Sequence, residues 1–165
     1  MTTNRQEFRN AMARLGAAVT IVTSDGPAGR GGVTASAVCS VTDDPPTLLI
    51  CMNRQSRTGA IIKGNGVLCV NVLSAGQRDL CDLFAGFTQA TPEQRFAAGR
   101  WYVLETGAPA LDGAVAALDC RIADVVEKGT HSVIFAEVVE IRLGETAQPG
   151  LIYFARGYHG VGQED

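Results

Sequence analysis

Residues 32 to 58 read GVTASAVCSVTDDPPTLLICMNRQSRT, and their order decides the architecture. Two β-rich runs, VTASAVCSV and TLLICM, flank DDPP, a turn composition in which proline fixes φ at about −65° and aspartate bonds back to the local main chain. Two strands meeting at a short turn make a hairpin, so the segment predicts an antiparallel sheet. It also carries more Ser and Thr hydroxyls than a sheet requires. It ends in an amide, two guanidinium groups and two hydroxyls, at Asn53, Arg54, Ser56, Arg57 and Thr58.

Working outward, the pattern repeats. AVTIVTS lies upstream and VLCVNVL downstream, each bounded by glycine or proline clusters such as DGPAGRGG at 25 to 32. VAALDCRIADVV and HSVIFAEVVEIRL alternate apolar and polar residues around EKGT, which predicts a long hairpin, and GLIYFA at 150 to 155 supplies a last strand. Asn4 can cap a helix in which Phe8, Ala11, Met12 and Leu15 share one face, and short helices are expected at 56–64 and 75–86. Residues 87–112, rich in Gly, Pro, Thr and Gln, are expected to run over the surface. About seven hairpin-connected strands predict a mainly β chain folded as one domain over 1–165, its sheet closed or nearly closed into a barrel to remove exposed edges. A doubly wound parallel sheet is disfavoured, because no GxGxxG follows a strand and no crossover helices alternate with strands.

Composition narrows the function. Across 165 residues, 46% are hydrophobic and 19% charged, with a formal net charge of −3, so nucleic acid and anionic membranes are not expected partners. No apolar run is long enough for a membrane span and the N-terminal residues lack a signal-type apolar core, which leads to the expectation of a cytoplasmic protein. The five cysteines, Cys39, Cys51, Cys69, Cys81 and Cys120, form no CxxC pair and have only two histidines to join them. They are read as small hydrophobes in a reducing compartment, with no metal site. No GxSxG, HExxH or P-loop is present, and Asp43–Asp44 beside two prolines reads as a turn rather than a catalytic carboxylate pair.

Thr34, Ala35, Ser36 and Ala37 place small side chains on consecutive positions, which lets a flat ligand reach main-chain donors and acceptors. The start of the helix expected after Asn53 offers free N–H groups and a positive dipole end to a phosphate. A polar strand followed by a capped helix accounts for the same residues equally well. Taken alone, His131 fits a hydrogen-bonded turn residue, and Trp101 a core or interface anchor.

FRNAMARLGAAVTIVT, GVTASAVCSVTDDPPTLLICMNR, LCVNVLSAGQ, DLFAG, RFAAGRW, ALDCRI and GTHSVIFAEVVEI together resemble the flavin-reductase-like family, over a stretch from Phe8 to His159. The resemblance implies an FMN-binding split β-barrel with Greek-key connections and a few short flanking helices, assembled as a homodimer. It implies hydride transfer from NADH or NADPH to FMN or FAD, with reduced flavin passed to a separate monooxygenase of pyrimidine or aromatic catabolism. By the same resemblance Thr34, Ala35, Ser36, Ala37 and Ser40 contact the isoalloxazine ring. Cys51, Met52, Asn53, Ser56, Arg57 and Thr58 hold the ribityl and phosphate groups. Phe84, Ala85 and Gly86 close over the flavin, Arg95 is a basic residue near it, and His131 with Tyr153 meets the nicotinamide. Two alternatives stay open: some relatives reduce corrinoids through bound flavin, and a non-catalytic flavin-binding module needs the same cradle but has no use for His131 and Tyr153.

Overall fold

In the computed structural model, which describes residues 3–162, the chain opens on helix α1 (Arg5–Met12). Asn4 Oδ1 accepts from the Glu7 N–H at 2.8 Å, and the Glu7 carboxylate accepts from the Asn4 N–H at 3.1 Å. This reciprocal pair satisfies two donors that a helix start leaves open. None of the helix's side chains is buried, so its apolar face is free for a ligand or partner.

Strands β1 (Ala17–Ala18), β2 (Thr20–Ser24), β3 (Gly31–Ala35), β4 (Val38–Asp43) and β5 (Pro46–Asn53) follow. Helix α2 (Arg57–Asn65) starts at Ser56, whose Oγ accepts from Gly59 N–H at 3.1 Å, and stops at Gly66, whose φ of 71° is cheap only for glycine. Then come β6 (Val67–Val72), α3 (Arg78–Phe84), α4 (Pro92–Ala97), and the short strands β7 (Trp101–Val103) and β8 (Pro109–Leu111). Two hairpins finish the chain, β9 (Ala116–Lys128) with β10 (His131–Leu143), and β11 (Gly150–Phe154) with β12 (Gly157–Val161).

Seven strands form one antiparallel sheet in the order β3-β2-β6-β9-β10-β5-β4. The continuous strand expected over VTASAVCSV is therefore wrong: it breaks at Ser36 and Ala37, and its halves form opposite edges of the sheet. Flat, those edges would stand about 29 Å apart at the usual strand spacing. Three peptide steps from Ala35 to Val38 span at most about 11 Å. The sheet must curl until its edges meet at this corner, although no ladder pairs β3 with β4 among the described residues. The cluster inside the curl agrees, drawing Val22, Val33, Val38, Ile50, Leu68, Cys120 and Ile134 from all seven strands, with Ile62 of α2 as a plug.

The outer face of the sheet is covered too, by the segment expected to run over the surface at 87–112: residues 87–94 are mostly exposed, while parts of the remainder turn inward. Phe96, Ala108, Ala110 and Leu111 are buried, with α4, β7 and β8 lying over β2, β6 and β9. Polar pins hold this cover down. Buried Asn71 donates to the Ile21 carbonyl at 3.0 Å and accepts from the Leu111 N–H at 2.7 Å, while buried Asp119 accepts from the Thr106 N–H at 2.7 Å. Burial on both faces of VLCVNVL is thus satisfied within the chain: Leu68 and Val70 point inward, Cys69 outward beneath Ala108 and Ala110.

Candidate functional site

The residues proposed from sequence separate into two places, one at each end of β3. The first is a cleft of about 860 Å3 where α1 overhangs the Ser36–Ala37 corner. Alternation on β5 sends Ile50 and Met52 into the core, so Cys51 and Asn53 face outward. In the register of β5 and β10, Cys51 lies opposite Val133 and Asn53 opposite His131, which brings these side chains to one face. The corner is held against β5 by the Cys51 N–H donating to the Ala37 carbonyl at 3.0 Å. Tyr153 of β11 supplies a further wall, and Phe8, Met12 and Leu15 supply an apolar one. The three formal cations lining the cleft are Arg9, Lys128 and Arg156, and no carboxylate joins them.

His131 sits at the mouth of this cleft on a braced turn. Its Nδ1 lies 2.9 Å from the Thr130 hydroxyl, which leaves Nε2 for a ligand. Behind it, Glu127 pairs with Arg54 at 3.0 Å and Lys63 at 3.4 Å and accepts from the Ser132 hydroxyl at 2.9 Å. The Ser132 hydrogen bond, and then the Lys63 ammonium, hold the Glu127 carboxyl below the usual carboxylate range. Arg156 is oriented by the β11–β12 turn, where Ala155 and Arg156 take φ of 50° and 63°, and by donation to Asn10 Oδ1 at 2.6 Å.

The second place is a small hollow of about 50 Å3 ringed by Arg30, Arg57 and Arg95, with Thr58, Gly32 and Phe84 as its floor. Among the described residues neither Arg57 nor Arg95 pairs with a carboxylate; Arg95 only donates its Nε to the Ala90 carbonyl at 3.2 Å. Positive charge that the protein does not neutralise suits an anion. Gly32 is required here by contact, since a Cβ would stand 2.6 Å from the Phe84 ring. Gly32 and Ser36 are about 13 Å apart at strand rise, a span that a tricyclic ring with a polyol phosphate tail can bridge.

Several proposed contacts are restricted by what the structure already uses. Thr34 donates its hydroxyl to the Cys81 carbonyl at 2.7 Å, and Ala35 packs against the inner core. The Met52 side chain is buried in the core, leaving only its main chain to a ligand. Ser56 is the α2 cap, and Asn53 borders a separate hollow with Arg54 and Thr130. Phe84 is a core ring, 5.2 Å from Phe96 and 5.6 Å from Trp101 by centroids, so it floors the hollow instead of closing over it. Ser40, exposed on edge strand β4, and Ala85 and Gly86 after α3 line neither place. Arg30 was missed, because DGPAGRGG carries a turn signal that hides a lone cation within it.

Among the described residues no helix is long and apolar enough to cross a membrane, and no cluster of three His, Cys, Asp or Glu could hold a metal. The fold and the paired sites define a class. The chain belongs to the flavin reductase like domain family, whose sequence pattern spans residues 12–162. It is 60% identical over 158 residues to FMN reductase (NADH) RutF of Ancylobacter novellus, covering 96% of this chain and 86% of that protein. The structure of the Streptomyces globisporus NADH:FAD oxidoreductase SgcE6 with NAD and FAD fragments superposes with a TM-score of 0.85 at 29% identity, covering 94% of this chain and 92% of that one. The nitrilotriacetate monooxygenase component B homologue of Mycobacterium thermoresistibile does so with a TM-score of 0.87 at 26% identity, covering 95% and 86%.

Proposed function

We propose that the protein is an NADH-dependent flavin reductase, taking hydride from NADH to FMN and releasing reduced flavin to a separate monooxygenase. What supports it is the continuity along β3 of an apolar, carboxylate-free cleft and an arginine hollow in which Arg57 and Arg95 have no carboxylate partner among the described residues. Bound flavin supplies the hydride acceptor, and hydride transfer asks the protein for alignment of two rings rather than for an acid–base pair. The small side chains of Ser36 and Ala37 leave the corner open to a ring edge, and Arg57 and Arg95 hold the phosphate. His131, fixed by Thr130, orients the nicotinamide, with Tyr153 behind it. Relatives named as NADH-dependent FMN reductases and as a monooxygenase component favour this assignment of donor, acceptor and partner.

The curled sheet, whose edges meet at Ser36–Ala37 without pairing, is read as a split barrel with Greek-key connections, and residues 1–165 as one domain. The apolar side chains Phe8, Met12 and Leu15 are 57%, 46% and 66% exposed, which favours a homodimer that covers them in a cytoplasmic enzyme. Light scattering at micromolar concentration is expected to give twice the chain mass; a fully active monomer removes the dimer from the proposal.

The test of function is NADH oxidation with FMN, riboflavin, FAD and cob(II)alamin in parallel. FMN-dependent turnover is expected. FMN binding without NADH oxidation would make the protein a binding module, and reduction of the corrinoid in preference to free flavin would make the corrinoid the acceptor.

A further inference from the structure

The arginine hollow does not end at its own walls. Arg30 and Phe96 also line an adjoining hollow of about 430 Å3, completed by Pro92, Glu93, Ala97 and Trp101. Its size exceeds what a phosphate needs, and its walls are aromatic. The Arg30 guanidinium carbon lies 3.9 Å from the centroid of the Phe96 ring, and the side chain is 44% exposed, so one face of that plane is covered and the other is open. Trp101 is held by donation of its indole N–H to the Phe96 carbonyl at 2.9 Å. The loop bearing Arg30 is tied down by Asn65, which accepts from Ala28 N–H at 2.7 Å and donates to the Gly29 carbonyl at 2.9 Å. Asp25 reaches Arg30 only at 3.8 Å.

A fixed guanidinium plane and an indole beside an anion site match a heteroaromatic base carried on a phosphate chain, since every base offers a π face to such platforms. Glu93, the one carboxylate lining the hollow, is an acceptor for an exocyclic amine. We propose that this second hollow is an adenosine compartment, occupied by the adenosine half of FAD when the flavin phosphate lies against Arg57 and Arg95, with Arg30 the residue that separates dinucleotide from mononucleotide. The proposal rests on the flavin reading of the arginine hollow. Adenosine diphosphate is a chemistry that FAD shares with NADH. The FAD assignment is favoured because the compartment adjoins the phosphate hollow, whereas His131 lies in the cleft at the far end of β3.

Trp101 is the only tryptophan in the chain, so its emission reports on this compartment directly. Saturable quenching by ADP and none by inorganic pyrophosphate is the expected result, and it is lost in Arg30→Met. In flavin titrations Arg30→Met is expected to weaken FAD about tenfold more than FMN, with the KM for NADH unchanged. Arg30→Lys, which keeps the charge without the plane, is expected to retain FMN and still lose FAD. Melting curves of both variants should match the parent, because Arg30 is a partly exposed loop residue. Equal losses for FMN and FAD, no ADP quenching, or a raised KM for NADH at an unchanged FAD to FMN ratio would each overturn the assignment. Failure of the parent protein to bind FMN at all would instead remove the flavin reading, and ADP quenching would then stand on its own.

Discussion

The cleft beneath α1 and the arginine hollow occupy the two ends of one strand and are built by opposite means. The cleft is roughly 860 Å3, walled by exposed apolar side chains of a helix that buries none of its own residues, and its cations stand at the rim. The hollow is about 50 Å3, floored by a fully packed aromatic cluster and ringed by guanidinium groups. The difference teaches how the labour is divided. On the proposed flavin reading, a ring that must be stacked upon and released would use the loose apolar surface, while its phosphate would use the charge fixed on a rigid floor.

Rigidity of that floor is the largest effect to test. Phe84→Ala should lower stability by about 3 to 5 kcal/mol, as for other buried rings, and degrade FMN binding with it. Lys128→Ala, an exposed position on the cleft wall, should change stability by less than about 0.5 kcal/mol. Similar melting shifts for the two would end the contrast between loose and rigid regions.

Next comes the division between phosphate and nicotinamide. Arg57→Ala should weaken FMN by about 1 to 3 kcal/mol, the range for a lost charge-assisted hydrogen bond, and leave riboflavin unchanged. His131→Asn should do the reverse, leaving FMN affinity intact while raising the KM for NADH and slowing flavin bleaching in a single turnover, on the order of tenfold. A variant that moved both ligands together would place its residue in the scaffold. Ser56→Ala belongs there already: loss of the α2 cap should lower stability by about 1 kcal/mol and leave phosphate affinity nearly intact.

Thiol labelling sharpens the map of the cleft without any substitution. Cys69, Cys81 and Cys120 are buried, and desolvation pushes all three thiols up, Cys120 to about 12. At neutral pH only Cys39 and Cys51 should react, because the thiolate is the nucleophile. Riboflavin should slow Cys51, which lines the cleft, and spare Cys39, which does not. Equal protection of both would move the ring away from the corner.

A small stabilising effect is expected in the turn that aims Arg156. Ala155 holds φ at 50° without being glycine, so Ala155→Gly should stabilise the protein by up to about 1 kcal/mol, read as a small rise in melting temperature. That same turn explains why β12 was not foreseen. Ala and Arg carry none of the Asn-Gly chemistry that announces a two-residue hairpin, so GYHGV read as a tail beyond the last strand.

The sequence by itself determined whatever depends on neighbours along the chain. Asn4 and Ser56 cap the helices they precede, EKGT turns the long hairpin, and alternation on β5 sets which residues leave the core. The small residues of the corner and the cations after Asn53 were legible as ligand groups because residue type limits their chemistry. Only the tertiary structure decided the rest. Ser36 and Ala37 carry no breaker signal, and their strand divides because its two halves pair with β2 and β5, which lie toward opposite ends of the strand order, so that β3 and β4 become the two edges that the curl brings together. The cover at 87–112 has a loop's composition, and its second half is pinned to the sheet by bonds from Thr106 to Asp119 and from Leu111 to Asn71, partners outside any local window. Arg30 joins Arg57 and Arg95 from separate segments across the fold, and no spacing in the chain records that meeting. Local propensity is written residue by residue, while pairing and convergence are chosen by burial of the whole chain at once.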